Sequence, residues 1–411
     1  MKIVAISRPD PPISSSIQTE NLHGRQDLLD KEEIEADAYD RFNRPRQRRN
    51  SILSSLATLY PQFLEKKTPT KPLDNLDLYK VVHDTALVDF LQTAWNRWIE
   101  LGPDGRDPQA FHPTYSLEED EWTVIPPLVP IHCMLQRDGY QVPSTHVIGQ
   151  MAYYCTDHVT PIVSTLVEEL TWDGAVVDMA VHTSLQKEDS SSSTGIVYAI
   201  TTHPGHHCSY DVFGGYCYLN HAALAATLFQ QQYHLEKVAI LDVDYHCGNG
   251  TASIFYHDSS VLVISLHCDP NYDYPFNSGF ADQTGAGEGI GTTLHIPLKP
   301  GTTWKDSYET ELSRAMDTIV QFGTQALIVS IGLDTYDGDP VAIRRAGFHL
   351  SGKDYIQMGK VIGEKLQRNN MNIPIVFIQE GGYKMDVVGD AAAMVVGGCA
   401  EMCMTNERYV E

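Results

Sequence analysis

No CxxC pair occurs in this chain, and its eight cysteines are dilute over 411 residues, which excludes a disulfide scaffold and suits a reducing compartment. Basic residues are also scarce. The 29 Lys plus Arg stand against 53 acids, for a formal charge of −24, so a broadly basic nucleic-acid surface is excluded and no nucleic-acid partner is expected. No uninterrupted apolar run approaches the roughly 20 residues of a membrane span. The opening MKIVAI gives way to SRPDPP before a signal-peptide core can form. These absences lead to the expectation of a cytoplasmic protein with no membrane partner.

What is present is enough apolar residues, 42%, for a substantial core. MKIVAI reads as a first strand. IVYAI, KVAIL, SVLVISL, ALIVSI and IPIVFI read as five more, separated by helix-length segments such as HAALAATLFQQQ and SYETELSRAMDTIVQF. Strands alternating with helices predict an α/β fold built on a mainly parallel, doubly wound sheet. Residues 8 to about 50 read as a long polar surface loop. Within it the cluster Arg41, Arg44, Arg46, Arg48 and Arg49 reads as a solvated face or as partners of the preceding acids. Ala86 to Leu101 has helical periodicity, residues 103 to 143 are Pro-rich and irregular, and helical patterning returns from Val147 to Leu170. Long irregular insertions of this kind tend to be functional. Without an internal repeat or a clear boundary, one domain over residues 1–411 is expected, with residues 1–78 a divergent N-terminal loop region and 103–146 a long insertion near the entrance.

Chemistry gathers where the strands end. In LDVDYHCGNG, Asp242, Asp244 and His246 alternate along an extended segment and so share a face, directly behind an aliphatic strand. In open α/β sheets ligands bind at the C-terminal strand edge. Other strands deliver TTHPGHHCSYDVFGGYCYLN with His206 and His207, GLDTYDGDP with Asp334, and QEGGY with Tyr383. Two carboxylates, an imidazole and an open position suit a catalytic Zn²⁺. A lone Asp or His usually caps a helix or satisfies a loop, but that reading would leave idle ionisable groups on four separate strand ends.

The ordered motifs HPGHH, FGGYCYLNHAALAA, LDVDYHCGNGT, ISLHCDP, GLDTYDGDP and EGGY resemble those of the zinc-dependent deacetylases of the arginase/deacetylase fold, most closely the acetylpolyamine amidohydrolases. The similarity runs from about Tyr79 to Ala400 and implies a single sheet of about eight strands with helices on both faces and long active-site loops. It implies Asp244, His246 and Asp334 as zinc ligands, with Fe²⁺ or Co²⁺ as substitutes. Tyr383 would donate to the scissile carbonyl, His207 would act as general base and then acid, and His206 would serve electrostatically. Asp242 and Asn249 would be the partners of the two histidines. A structural K⁺ would take Asp242, Ser265 and Leu266 together with the carbonyls of Asp244 and His246, and a second cation site would involve Phe255, Asp258 and Val261. Tyr216 and Tyr274 match aromatic channel walls, and a homodimer is expected by analogy.

Three departures stand out. Cys247 occupies a position where the family commonly has His, expected to be a packing change, with a reactive thiol as the alternative. His203 stands where Arg is usual. Ile148 replaces a glutamate able to hold a distal ammonium, for which Glu20 or the acids Glu118 to Glu121 would have to substitute. The leading expectation is hydrolysis of an acetyl or related acyl group from a small amine such as an acetylated polyamine. Alternatives are a deacetylase of acetyl-lysine in proteins, a two-metal ureohydrolase, for which the extra ligands are lacking, and a catalytically silent module that binds acylated amines.

Overall fold

The computed structural model describes residues 2–9, 44–100, 166–186, 195–276 and 278–404. The expectations for Glu20, Glu118 to Glu121, Ile148 and the 103–146 insertion lie outside the described residues. The strands are β1 (Ile3–Ser7), β2 (Leu64–Lys67), β3 (Ile196–Ile200), β4 (Val238–Asp242), β5 (Val261–Cys268), β6 (Thr293–Leu298), β7 (Ala326–Ile331) and β8 (Ile375–Gln379). They form one eight-stranded sheet in the order β2-β1-β3-β8-β7-β4-β5-β6, and every pairing is parallel. All C-terminal strand ends therefore share one edge.

Alternation along the strands feeds two apolar layers. Ile3 and Ala5 pack into one, with α1 (Pro45–Leu59), α6 (Glu309–Phe322), α7 (Gly352–Arg368) and α8 (Val388–Met404). Val4 and Ile6 face the other, with α2 (Thr85–Glu100), α3 (Leu166–Leu185) and α4 (His221–Tyr233). The short α5 (Asn249–Ile254) follows β4. Helix α4 begins where Asn220 Oδ1 accepts from Ala223 N, and α7 begins with a reciprocal Ser351/Asp354 capping box, as their sequences favour. Among the described residues no helix is long and apolar enough to cross a membrane.

Three readings of the sequence need correction. The polar stretch ending near Asn50 is not all loop, because α1 starts at Pro45, and Arg48 and Arg49 are buried rather than solvated. Helical patterning does not stop at Leu170: α3 runs from Leu166 to Leu185 and is buried over most of its circumference, so it lacks the amphipathic period. Strands β2 and β6 escaped notice. LEKK has no apolar pattern, TLHIPL carries a proline, and both are edge strands, where such residues are tolerated.

Candidate active site

Strand β4 lies between β7 and β5, with Asp242 in register with Ser330 on one side and Ser265 on the other. The chain leaving β4 thus emerges at the centre of the C-terminal edge. There Asp244, His246 and Asp334 converge, all buried, with ligand atoms within 4.8 Å of one another. His246 Nδ1 lies 3.0 Å from Asp334 Oδ2 and 3.3 Å from Asp244 Oδ1. Backbone amides aim both carboxylates: Gly381 N donates to Asp244 Oδ2 at 2.9 Å and Tyr245 N to Asp334 Oδ1 at 2.9 Å. A Cβ on Gly381 would fall 2.7 Å from Asp244 Oδ2 and 2.9 Å from Asp334 Oδ2, so only glycine lets this backbone approach.

The tandem histidines sit beside this set. Asp242 Oδ2 accepts from His206 Nδ1 at 2.9 Å, and Asn249 Oδ1 accepts from His207 Nδ1 at 2.7 Å. An amide oxygen can only accept, so the His207 proton resides on Nδ1 and Nε2 keeps its lone pair. Burial disfavours charge on His206, yet Asp244 and Asp242 outweigh it and lift its pKa to about 10. His207 moves the opposite way, held well below its ordinary value by burial and by the charges of His206 and His246. The two pKa values are thus pushed apart, that of His206 upward and that of His207 downward. Burial, then the neighbouring Asp244 charge, raise the Asp334 pKa to about 7.

One pocket is lined by both histidines, Asp244, His246, Tyr216, Tyr274 and Tyr383. The Tyr274 ring meets that of His207 edge-on at 4.8 Å, and Tyr216 lies 5.8 Å from Tyr383 between centroids. Burial, then Asp334, push the Tyr383 hydroxyl well above its usual pKa, keeping it protonated as a donor. Ser265 and Leu266 lie buried on β5 beside Asp242, and Phe255 and Val261 are likewise buried, with Asp258 N donating to Phe255 O at 2.9 Å. Cys247 is fully buried, and burial raises its thiol pKa further, which argues against a reactive thiol. His203 pairs with Glu169 at 2.8 Å.

Residues without an assigned role in the sequence also shape the site. Asp339 Oδ2 accepts from Tyr383 N at 2.8 Å and Lys384 N at 3.1 Å, fixing the tyrosine loop. Glu380 Oε2 accepts from Gly205 N at 2.6 Å and His206 N at 3.1 Å, fixing the histidine loop. Both stand inside quoted motifs, DTYDGDP and QEGGY, but spacing alone does not reveal carboxylates that hold backbone. Arg48 joins the two loops: it donates to Gly382 O at 3.2 Å and Thr202 O at 3.3 Å, and its guanidinium lies 5.9 Å from the Tyr383 ring centre. Arg48→Ala would strand two buried carbonyls, so a loss of about 3 kcal/mol in stability is expected. Urea denaturation followed by circular dichroism checks it, and an unchanged midpoint would remove Arg48 from this role.

A parallel sheet that concentrates two carboxylates, a tandem imidazole pair and a tyrosine at its central crossing defines an enzyme of the arginase/deacetylase fold. The histone deacetylase domain model matches residues 43–399, and the chain belongs to that hydrolase family. It is 36% identical over 317 residues to acetylpolyamine amidohydrolase 1 of Pseudomonas aeruginosa, covering 77% of this chain and 81% of the relative. It is 34% identical over 323 residues to the acetylpolyamine amidohydrolase of Mycoplana ramosa, covering 78% and 82%. The crystal structure of an acetylpolyamine aminohydrolase from Burkholderia pseudomallei superimposes with a TM-score of 0.66 at 26% identity, covering 87% of this chain and 90% of that one.

Proposed function

We propose that this chain is a zinc-dependent amidohydrolase that removes an acetyl or related acyl group from a slender amine, with acetylated polyamines as the preferred class. The observation that carries the reading is one pocket holding the Asp244, His246 and Asp334 set, a neutral His207 and a protonated Tyr383. The donor set fits the metal. Two buried carboxylates flank one imidazole, and these oxygen and nitrogen donors suit Zn²⁺, with Fe²⁺ or Co²⁺ acceptable to the same set. When bound, the ion supplies Lewis acidity.

The residues of the chain do the rest. His207 Nε2 takes a proton from the attacking water and later delivers it to the departing amine. His206, held as a cation by Asp242 and Asp244, stabilises negative charge developing nearby. The Tyr383 hydroxyl donates to the carbonyl oxygen as that oxygen becomes an oxyanion. Tyr216 and Tyr274 pack their ring faces on an alkyl chain. K⁺ held by Asp242, Ser265 and Leu266 with the Asp244 and His246 carbonyls belongs to the same proposal, supported by the Asp242/Ser265 register.

Tyr383→Phe tests the reading, since it removes one hydroxyl and keeps the ring. An approximately 10²–10³-fold fall in kcat is expected, with zinc content by mass spectrometry unchanged. The parent is expected to prefer acetylated polyamines over acetyl-lysine peptides in a side-by-side panel. A preference for peptides would reverse the substrate assignment, and parent and variant equally inert across the panel, with zinc bound, would leave a binding module instead.

A further inference from the structure

Behind the pocket lies a second group of potential ligands that shares no side chain with the first. Cys247, His267 and His295 are 0%, 0% and 3% exposed, and each offers a ligand atom within 4.8 Å of the other two. The sheet dictates the meeting. Ser265 and His267 point to the same face of β5, and His295 on β6 is the register partner of Ser265, so the two imidazoles are diagonal neighbours across adjacent strands. Their ring centres lie 5.4 Å apart. Cys247 arrives from the loop that leaves β4.

We propose that Cys247, His267 and His295 form a second metal site, structural in character, for a divalent ion of the zinc class. The Cys247 Sγ to His295 Nδ1 distance is 3.5 Å. Metal–sulfur and metal–nitrogen bonds of about 2.3 and 2.0–2.1 Å, spread tetrahedrally, require a sulfur–nitrogen edge of about 3.5 Å. His267 Nε2–H donates to Gly279 O at 2.8 Å, which leaves Nδ1 as the acceptor, now taking the Ser265 hydroxyl at 2.8 Å. Ligation at Nδ1 would keep the carbonyl contact, the usual support of a metal-bound imidazole.

The ordinary reading is a thiol donating a weak hydrogen bond to His295 in a packed core. It accounts for one contact of His295 and leaves the gathering of a thiol and two imidazoles unexplained, since His267 already bonds Gly279 O and Ser265 Oγ without the other two. Loading exchanges the Cys247 S–H bond for a sulfur–metal bond and releases the proton to solvent, with no change of oxidation state. The departure of Cys247 from the family's usual His thereby gains a chemical meaning, since thiolate raises the site's preference for zinc.

The test uses the intact chain produced in medium supplemented with Co²⁺ and then purified. Asp244, His246 and Asp334 contain no sulfur, so a sulfur-to-cobalt charge-transfer band in the near ultraviolet reports a cysteine ligand. The expected result is such a band, abolished by Cys247→Ser and weakened by His295→Asn, each with a matching loss of cobalt per chain. Cys217→Ser, which removes the sulfur near His206 and Glu380, should leave the band in place. A cobalt-loaded parent without the band overturns the proposal whatever the variants do. So does a band that persists in Cys247→Ser or disappears in Cys217→Ser.

Discussion

Asp334→Asn is expected to release the proposed catalytic metal and reduce hydrolysis of an acetylated amine by about 10³-fold or more, since a Lewis-acidic ion contributes several kcal/mol of charge stabilisation and each 1.36 kcal/mol is a factor of ten. The substitution keeps the shape of the side chain and the hydrogen bond from Tyr245 N to Oδ1, so a folded protein should result. What it removes is charge. Burial works against a proton on His246, yet its contacts with Asp244 and Asp334 hold its pKa well above the ordinary value. The set therefore draws positive charge to itself. Replacing one carboxylate with an amide halves that pull and supplies a poorer ligand. Treatment of the parent with a chelator should give the same loss, reversed by added Zn²⁺, whereas the variant should recover little. Metal content and hydrolysis measured on the same samples decide it: a chelated parent that stays active would exclude metal dependence.

The central strands were legible because burial on both faces makes them continuous aliphatic runs, and the side chains that converge at the sheet edge were legible because they follow those runs within a few residues. IVYAI, KVAIL, ALIVSI and IPIVFI correspond to β3, β4, β7 and β8. The edge strands were not. One flank of each faces away from the sheet, so Leu64–Lys67 and Thr293–Leu298 need no aliphatic run to be stable. The same logic separates found from missed site residues. Asp242, Asp244 and His246 announce themselves by alternation and Asp334 by its place at a neighbouring strand end, whereas Arg48, Asp339 and Glu380 act on backbone groups distant in sequence. Arg48 lies in a stretch whose composition reads as solvated. Its partners Gly382 and Thr202 are 334 and 154 residues away, and no local pattern encodes a contact of that kind. Ile148 and the surrounding insertion, where the sequence placed substrate selectivity, lie outside the described residues.

His207→Ala is expected to lower kcat by about 10²–10⁴-fold, the contribution of a positioned acid/base, while metal content stays at the parent level. His207 is not one of the three convergent ligands, so its loss should separate proton transfer from metal binding. In the proposed role, Asn249 Oδ1 accepts the hydrogen bond from His207 Nδ1–H at 2.7 Å, which leaves the lone pair on Nε2 for the reaction. Asn249→Asp sharpens the test, because a carboxylate at that distance favours the imidazolium. The base must be deprotonated to accept a proton, so raising its pKa moves the acidic limb of kcat/KM to higher pH. His206→Ala should differ, because in the proposed role that ring keeps its proton, bonded to Asp242 at 2.9 Å, and acts through charge. Its loss should lower kcat without the acid-limb shift that Asn249→Asp produces. If His207→Ala keeps parental kcat with metal bound, the proton must be handled elsewhere, and the division of labour between the two histidines fails.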